Sequence, residues 1–163
     1  DEPQQAARTY EAPAAASGAR TGSVMDQFAG GAAQDDGVRD ITPDDFDRKA
    51  FLETALEQYR KLQKAWDTGN VIEISDFTTT EVFTAITHQL RERGAQAYKS
   101  DIKELKNELL GITESDGVYL ANIRFTGRIE IDGEVEEFDE TWILEKPVEG
   151  DEGWLLGGIQ QNA

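Results

Sequence analysis

The chain has no cysteine and a single histidine, His88, among its 163 residues. Without thiols there is no disulfide, no zinc–thiolate site and no cysteine nucleophile. One histidine is too few for a multi-histidine metal site and gives a Ser-His-Asp triad little to work with. No apolar run approaches the roughly 20 residues that a membrane span needs. Basic residues are scarce, with 16 Lys and Arg against 33 Asp and Glu, for a net charge of −17. Such a surface repels phosphate backbones and anionic headgroups, which excludes nucleic acid as a partner and argues against polybasic membrane docking.

The acidity is uneven. Residues 101–163 hold 16 acidic and five basic side chains, whereas residues 44–100 are nearly balanced, with 10 against eight. Residues 1–41 are rich in Ala, Gly, Gln and Asp, as in "AARTYEAPAAASGARTGSV". Their apolar groups are too sparse to offset ordering entropy, so the stretch reads as a disordered tether. Within it "VMDQF" (24–28) is a small apolar island, suited to a short docking segment. The chain begins at Asp1 rather than Met, which is expected of a piece whose membrane segment lies upstream. The folded domain is expected over residues 42–163.

Apolar residues then recur at helical spacing: Phe51, Leu52, Ala55, Tyr59, Leu62 and Trp66. Thr42 is expected to cap this helix, with Pro43 in its first turn, and Gly69 to end it. "VIEISDF" (71–77) predicts a short helix. Thr78 and Glu81 have the spacing of a capping box before Val82, Phe83, Ile86 and Leu90, and Gly94 stops that third helix. After residue 100 the period changes to two. Tyr119, Ala121, Ile123, Phe125, Gly127, Ile129 and Ile131 share one strand face, and Asp132-Gly133 signals a hairpin. Phe138, Trp142 and Leu144 share a face of the return strand. "DIKELKNELLGIT" (101–113) suits helix by composition and strand by context, and is assigned as strand. Helices followed by an antiparallel meander define an α+β fold.

"FLETALEQYRKLQKAWDTGNVIEISDFTTTEVF", "LRERG", "ELLGI", "IRFTG", "FDETWILEKP" and "GWLLGGIQQ", in this order, resemble the Tim44-like domain over about residues 46–161. The "VMDQFAG" stretch is similar to a linker segment of such proteins. The resemblance implies an NTF2-like cone, with helices on a curved antiparallel sheet around an apolar pocket. It also implies a bacterial inner-membrane association through an N-terminal segment absent from this chain. The implied role is a non-enzymatic adaptor in protein translocation or membrane-complex assembly. Its expected partners are membrane proteins, a translocating polypeptide or a lipid acyl chain, with no cofactor and no metal. The chain departs from the family's lipid-facing basic character, and the Hsp70-recruiting region is not present in it.

The candidate pocket residues are Tyr59, Leu62, Trp66, Phe77, Phe83, Phe125, Trp142 and Leu144. The rival class is a small-molecule enzyme or carrier of the NTF2-like kind, for which Tyr59, Tyr119 and Asp139 are the first candidates. By strand parity Asp139 points to solvent, and no pair of titratable groups is expected to face inward. His88 lies off the apolar stripe of its helix. The acids of "DGEVEEFDE" (132–140) alternate along a hairpin, which suits a protected sheet edge rather than a calcium loop.

The closing segment, "GWLLGGIQQNA", is uncharged. Alternation puts Trp154, Leu156 and Gly158 on one face and Leu155, Gly157 and Ile159 on the other. Apolar residues on both faces predict a central strand, bent or closely approached at Gly157-Gly158.

Overall fold

The computed structural model describes residues 40–94 and 96–162. Residues 1–39 of the expected tether, with the "VMDQF" island, lie outside the described residues, whereas its last two, Asp40 and Ile41, are bonded to Ile112. Three helices, α1 (Arg48–Thr68), α2 (Val71–Phe77) and α3 (Thr80–Arg93), precede four strands. These are β1 (Ser100–Ser115), β2 (Val118–Ile131), β3 (Glu134–Pro147) and β4 (Leu155–Gln161). The strands form one antiparallel sheet in the order β1-β2-β3-β4. The α+β reading holds, and 101–113 is strand.

Helix α1 buries the stripe that its spacing predicts: Ala55, Tyr59, Leu62, Ala65 and Trp66, flanked by the partly buried Phe51 and Leu52. Its start differs from expectation. Asp47, not Thr42, is the N-cap, accepting from Ala50 N at 3.0 Å. Thr42 serves instead to fasten the chain to β1. Its Oγ1 and Asp40 Oδ1 both accept from Ile112 N, at 3.1 and 3.0 Å. The Asp40 carboxylate accepts from the Thr42 hydroxyl, from Ile112 N and from Thr42 N, and these bonds, the Thr42 hydroxyl's first, hold its carboxyl down at about 2.

Gly69 ends α1 in the left-handed region at φ 72°, and Asn70 at once caps α2. The cap of α3 is Thr79, one residue later than the sequence suggests; its Oγ1 accepts from Val82 N at 3.4 Å. Thr78 is extended, buried and bridged to Leu156, and its hydroxyl donates back to Ile74 O at 2.8 Å.

Both long hairpins turn on an Asp-Gly pair at positive φ, Asp116-Gly117 and Asp132-Gly133. Two register shifts in β1, at Ile102/Glu104 and Leu109/Gly111, mark bulges. The core lies between the helices and the sheet. Ile112, Ala121, Ile123, Phe125, Trp142, Leu144, Leu156 and Ile159 meet α1, Ile74 of α2, and Val82 and Ile86 of α3.

Strand β4 is at the end of the sheet, not in its centre. Its alternation is broken by a register shift opposite Ile143/Leu144: Leu156 pairs with Leu144, but Gly158 pairs with Ile143. Gly157 is the extra residue. The bulge turns both Leu156 and Ile159 into the core, at 2% and 8% exposure, and leaves Leu155 at the surface. The bend expected at the glycines is real, but it brings the apolar residues to one face.

Candidate functional site

Tyr59 is the centre from which the pocket is built. Its ring lies 4.9 Å from Trp142 and 5.5 Å from Phe138, both stacked, and 4.7 Å from Phe125. Helix periodicity brings Leu62, Gln63 and Trp66 alongside it, one turn and two turns on. Strand pairing supplies the facing wall, since Trp142 pairs with Ile159 and Ile123. Between these walls lies a pocket of about 160 Å³. Ile86, Ile129, Ile131 and Ile159 complete its apolar lining, and Glu137, Gln161 and Asn162 stand among its polar groups.

Of the residues expected in the pocket, Tyr59, Leu62, Trp66 and Trp142 line it. Phe125 and Leu144 lie in the closed core, at 0% and 3% exposure, and are not among the residues lining this pocket. Phe83 lines a separate shallow groove with Val71, Leu90 and Arg91. Phe77, partly buried at the end of α2, borders neither.

Sequence reasoning missed Glu140. It is 7% exposed and faces the pocket, because it shares the parity of Phe138 and Trp142. Its Oε2 accepts from Trp142 Nε1 at 2.9 Å and its Oε1 from Gln161 Nε2 at 3.1 Å. The carboxylate therefore fixes the indole that forms one wall and ties β4 to β3. The signal was present in the even numbering of that strand, but an acid among apolar neighbours is normally assigned to the surface.

Asp139 has its carboxylate paired with Arg124, 2.9 Å from Nε and 2.5 Å from Nη2. That guanidinium holds its carboxyl below the usual range. Tyr119 packs against the core beside β1 and is not among the residues lining the pocket. His88 is 65% exposed and stands 4.0 Å from Glu92. Among the described residues no group of three or more His, Cys, Asp or Glu is placed to hold a metal.

A second polar cluster closes the far end of α1. Asp67, 7% exposed, accepts from Gln63 Nε2 at 3.0 Å, from Ser100 N at 3.1 Å and from the Ser100 hydroxyl. Burial pushes its carboxyl up to about 6 against the opposing pull of these bonds and of Arg93.

Three helices on a four-stranded antiparallel meander, with a pocket between them, define a small α+β domain. A model of the Tim44-like domain family matches residues 36–161, and the chain belongs to that family. No curated protein matches the chain. Among the described residues no helix is long and apolar enough to cross a membrane.

Proposed function

We propose that this domain is a non-enzymatic adaptor, held at a membrane by a segment outside this chain, whose pocket takes an apolar side chain from a partner polypeptide. The pocket carries the proposal. At about 160 Å³ it is well below the roughly 300–1,000 Å³ of sites that enclose whole small molecules. It is close to the volume of an apolar cavity that holds one benzene ring, about 150 Å³. One leucine- or phenylalanine-sized group fills it. Its polar groups then select the flanks. Glu137 and Glu140 repel an anionic headgroup and favour a polypeptide whose apolar residue is flanked by Lys or Arg. The Tim44-like family supports the membrane and translocation setting.

The test is a methyl NMR titration with two peptides of the same apolar sequence, one flanked by Lys and the other by Glu. The Lys peptide is expected to shift the methyls of Ile86, Ile129 and Ile159, and the Glu peptide to do so only at higher concentration. Equal affinity, or no shift at these methyls, defeats the reading. Fractionation of the full-length protein tests the membrane setting, and a wholly soluble distribution defeats that part.

A small-molecule enzyme or carrier is the second reading, favoured by one observation: Glu140 faces the pocket. Its bonds to Trp142 and Gln161 suit holding the wall better than proton transfer, which needs an oxygen within reach of a substrate. Substrate turnover lost in Glu140→Gln with the fold intact would favour this second reading.

A further inference from the structure

Strand β3 is longer than the neighbour that covers its far edge. Gln161 of β4 pairs with Glu140, Asn162 N donates to Asp139 O at 2.8 Å, and there the cover ends among the described residues. On its other side β3 stays paired with β2 as far as Glu134. In an antiparallel ladder alternate residues turn both N–H and C=O to the same side. The Asp139 carbonyl faces β4, so the backbone groups of Glu137 and Val135 face the gap beyond it. No described residue bonds to them there. Val135 is 54% exposed. Glu137, Phe138, Asp139 and Asn162, which border the gap, line both the pocket and an open hollow that extends to Thr126 and Arg128. Open space therefore lies on both faces of the sheet beside it.

The gap is acidic. Residues 132–140 contain no Lys or Arg. The cations of β1 and β2 are paired with other acids: Lys103 with Asp101 and Glu130, Lys106 and Arg128 with Glu104, and Arg124 with Asp139. Such an edge repels a second copy of itself and any acidic strand, because like charges facing each other across a strand pair destabilise it. A basic strand is the occupant it favours.

We propose that a partner polypeptide adds to β3 in this gap as a short antiparallel strand, in line with β4, and so carries its apolar residue to the pocket. The inference rests on the pocket reading above and adds how the partner is held. Pairing at Glu137 and Val135 fixes the register. In chain order, the partner residue across from Glu137 is Lys or Arg, the next, across from Glu136, is apolar, the third, across from Val135, is β-branched, and the fourth, across from Glu134, is again basic. The apolar residue shares its face with Phe138 and lies diagonal to it, and Phe138 stacks on Tyr59 at the pocket wall.

Two N-methylated peptides separate strand addition from pocket filling alone. Both carry Lys-Leu-Val-Lys at their centre. In the first, methyl groups on the nitrogens of the leading Lys and of Val block the N–H groups that face β3. In the second, methyl groups on the nitrogens of Leu and of the closing Lys block those that face away. The first is expected to bind about tenfold or more weakly than the unmodified peptide, the scale of two lost backbone hydrogen bonds, and the second nearly as well as it. The amides of Val135 and Glu137 are expected to exchange more slowly with the unmodified peptide bound. Val135→Pro removes only an N–H that faces the gap, so it should stay folded by circular dichroism and lose affinity. Equal shifts of the Ile86, Ile129 and Ile159 methyls with both methylated peptides would overturn strand addition and leave the pocket reading standing. No shift with any peptide overturns both. Val135 and Glu137 amides protected in the free monomer, or protected only as protein concentration rises, would put this chain or a second copy in the gap and overturn the proposal.

Discussion

The guanidinium of Arg93 lies 5.0 Å from the ring centre of Trp66, and its Nη1 donates to the carbonyl oxygen of the same residue at 2.8 Å. Nη2 donates to Asp67 O at 3.3 Å, and Tyr98 stands 4.6 Å away as a second ring. One side chain from the end of α3 thus satisfies the last carbonyls of α1, where the helix dipole favours a cation. It also fixes Trp66, a wall of the pocket. Arg93→Ala is expected to destabilise the domain by about 2 kcal/mol, the scale of hydrogen bonds to a charged group. Arg93→Lys should restore only part of this, since an ammonium neither forks nor stacks as a guanidinium does. Urea unfolding of the three proteins measures both differences.

Asp67 makes stability depend on pH in the direction opposite to a salt-bridged carboxylate. Its carboxyl titrates at about 6 in the folded domain and near the ordinary 3.8 once unfolded. Between these values the native state holds the proton more tightly, so stability falls as pH rises through the window. The shift of about two units corresponds to roughly 3 kcal/mol. Other carboxylates, such as Asp40 and Asp139, are lowered and act the other way. The difference between the parent and Asp67→Asn isolates the Asp67 contribution. The variant is expected to gain on the parent from pH 4 to pH 6 and to hold a constant difference above it. A difference that is flat across the window would show that Asp67 is not buried as described.

Gly127 is required by a neighbour rather than by its own backbone. A Cβ there would overlap the Glu104 carbonyl oxygen at the β1 bulge and stand 2.8 Å from Phe138 Cζ. The backbone oxygen cannot move without losing the pairing of β1 with β2. Gly127→Ala is expected to cost about 3 kcal/mol, at the upper end of overpacking effects. Gly153→Ala, where a Cβ meets nothing within 4 Å, is the control and should stay within about 0.5 kcal/mol. Thermal unfolding monitored at the tryptophans compares them.

What the sequence made legible follows from periodicity. The stripe from Ala55 to Trp66 and the alternation from Ala121 to Ile129 each require one face to be buried, so the α+β layering could be read directly. The Asp132-Gly133 hairpin carries its own chemistry. The caps were displaced because Thr42 and Thr78 have the right side chain for an N-cap, while β1 and β4 compete for them. The pocket was half legible. Tyr59, Leu62, Trp66 and Trp142 are visible as inward-facing groups, but nothing in their types distinguishes a pocket wall from the closed core that holds Phe125 and Leu144. Glu140 was hidden because a buried carboxylate is justified only by its partners, Trp142 and Gln161, which tertiary structure supplies.

Strand β4 shows how one residue changes the outcome of an alternation. With unbroken parity, Leu156 and Ile159 would face opposite sides of the sheet. The extra residue at Gly157 lets both reach the core, while Thr79 N donates to Leu156 O at 3.0 Å and locks the strand to the start of α3. Leu156, at 2% exposure, is therefore a core residue, and Leu155, at 36%, is not. Leu156→Ala is expected to cost about 3 kcal/mol, whereas Leu155→Asp should leave the fold intact. Deleting Gly157 removes the bulge and forces either Leu156 or Ile159 outward. Its cost should match or exceed that of Leu156→Ala, because exposing either residue loses its burial and leaves a void behind it. Circular dichroism with urea titration ranks the three. A Leu155→Asp chain that unfolds, or a Gly157 deletion that is neutral, would refute the bulged edge strand and restore a strand buried on both faces.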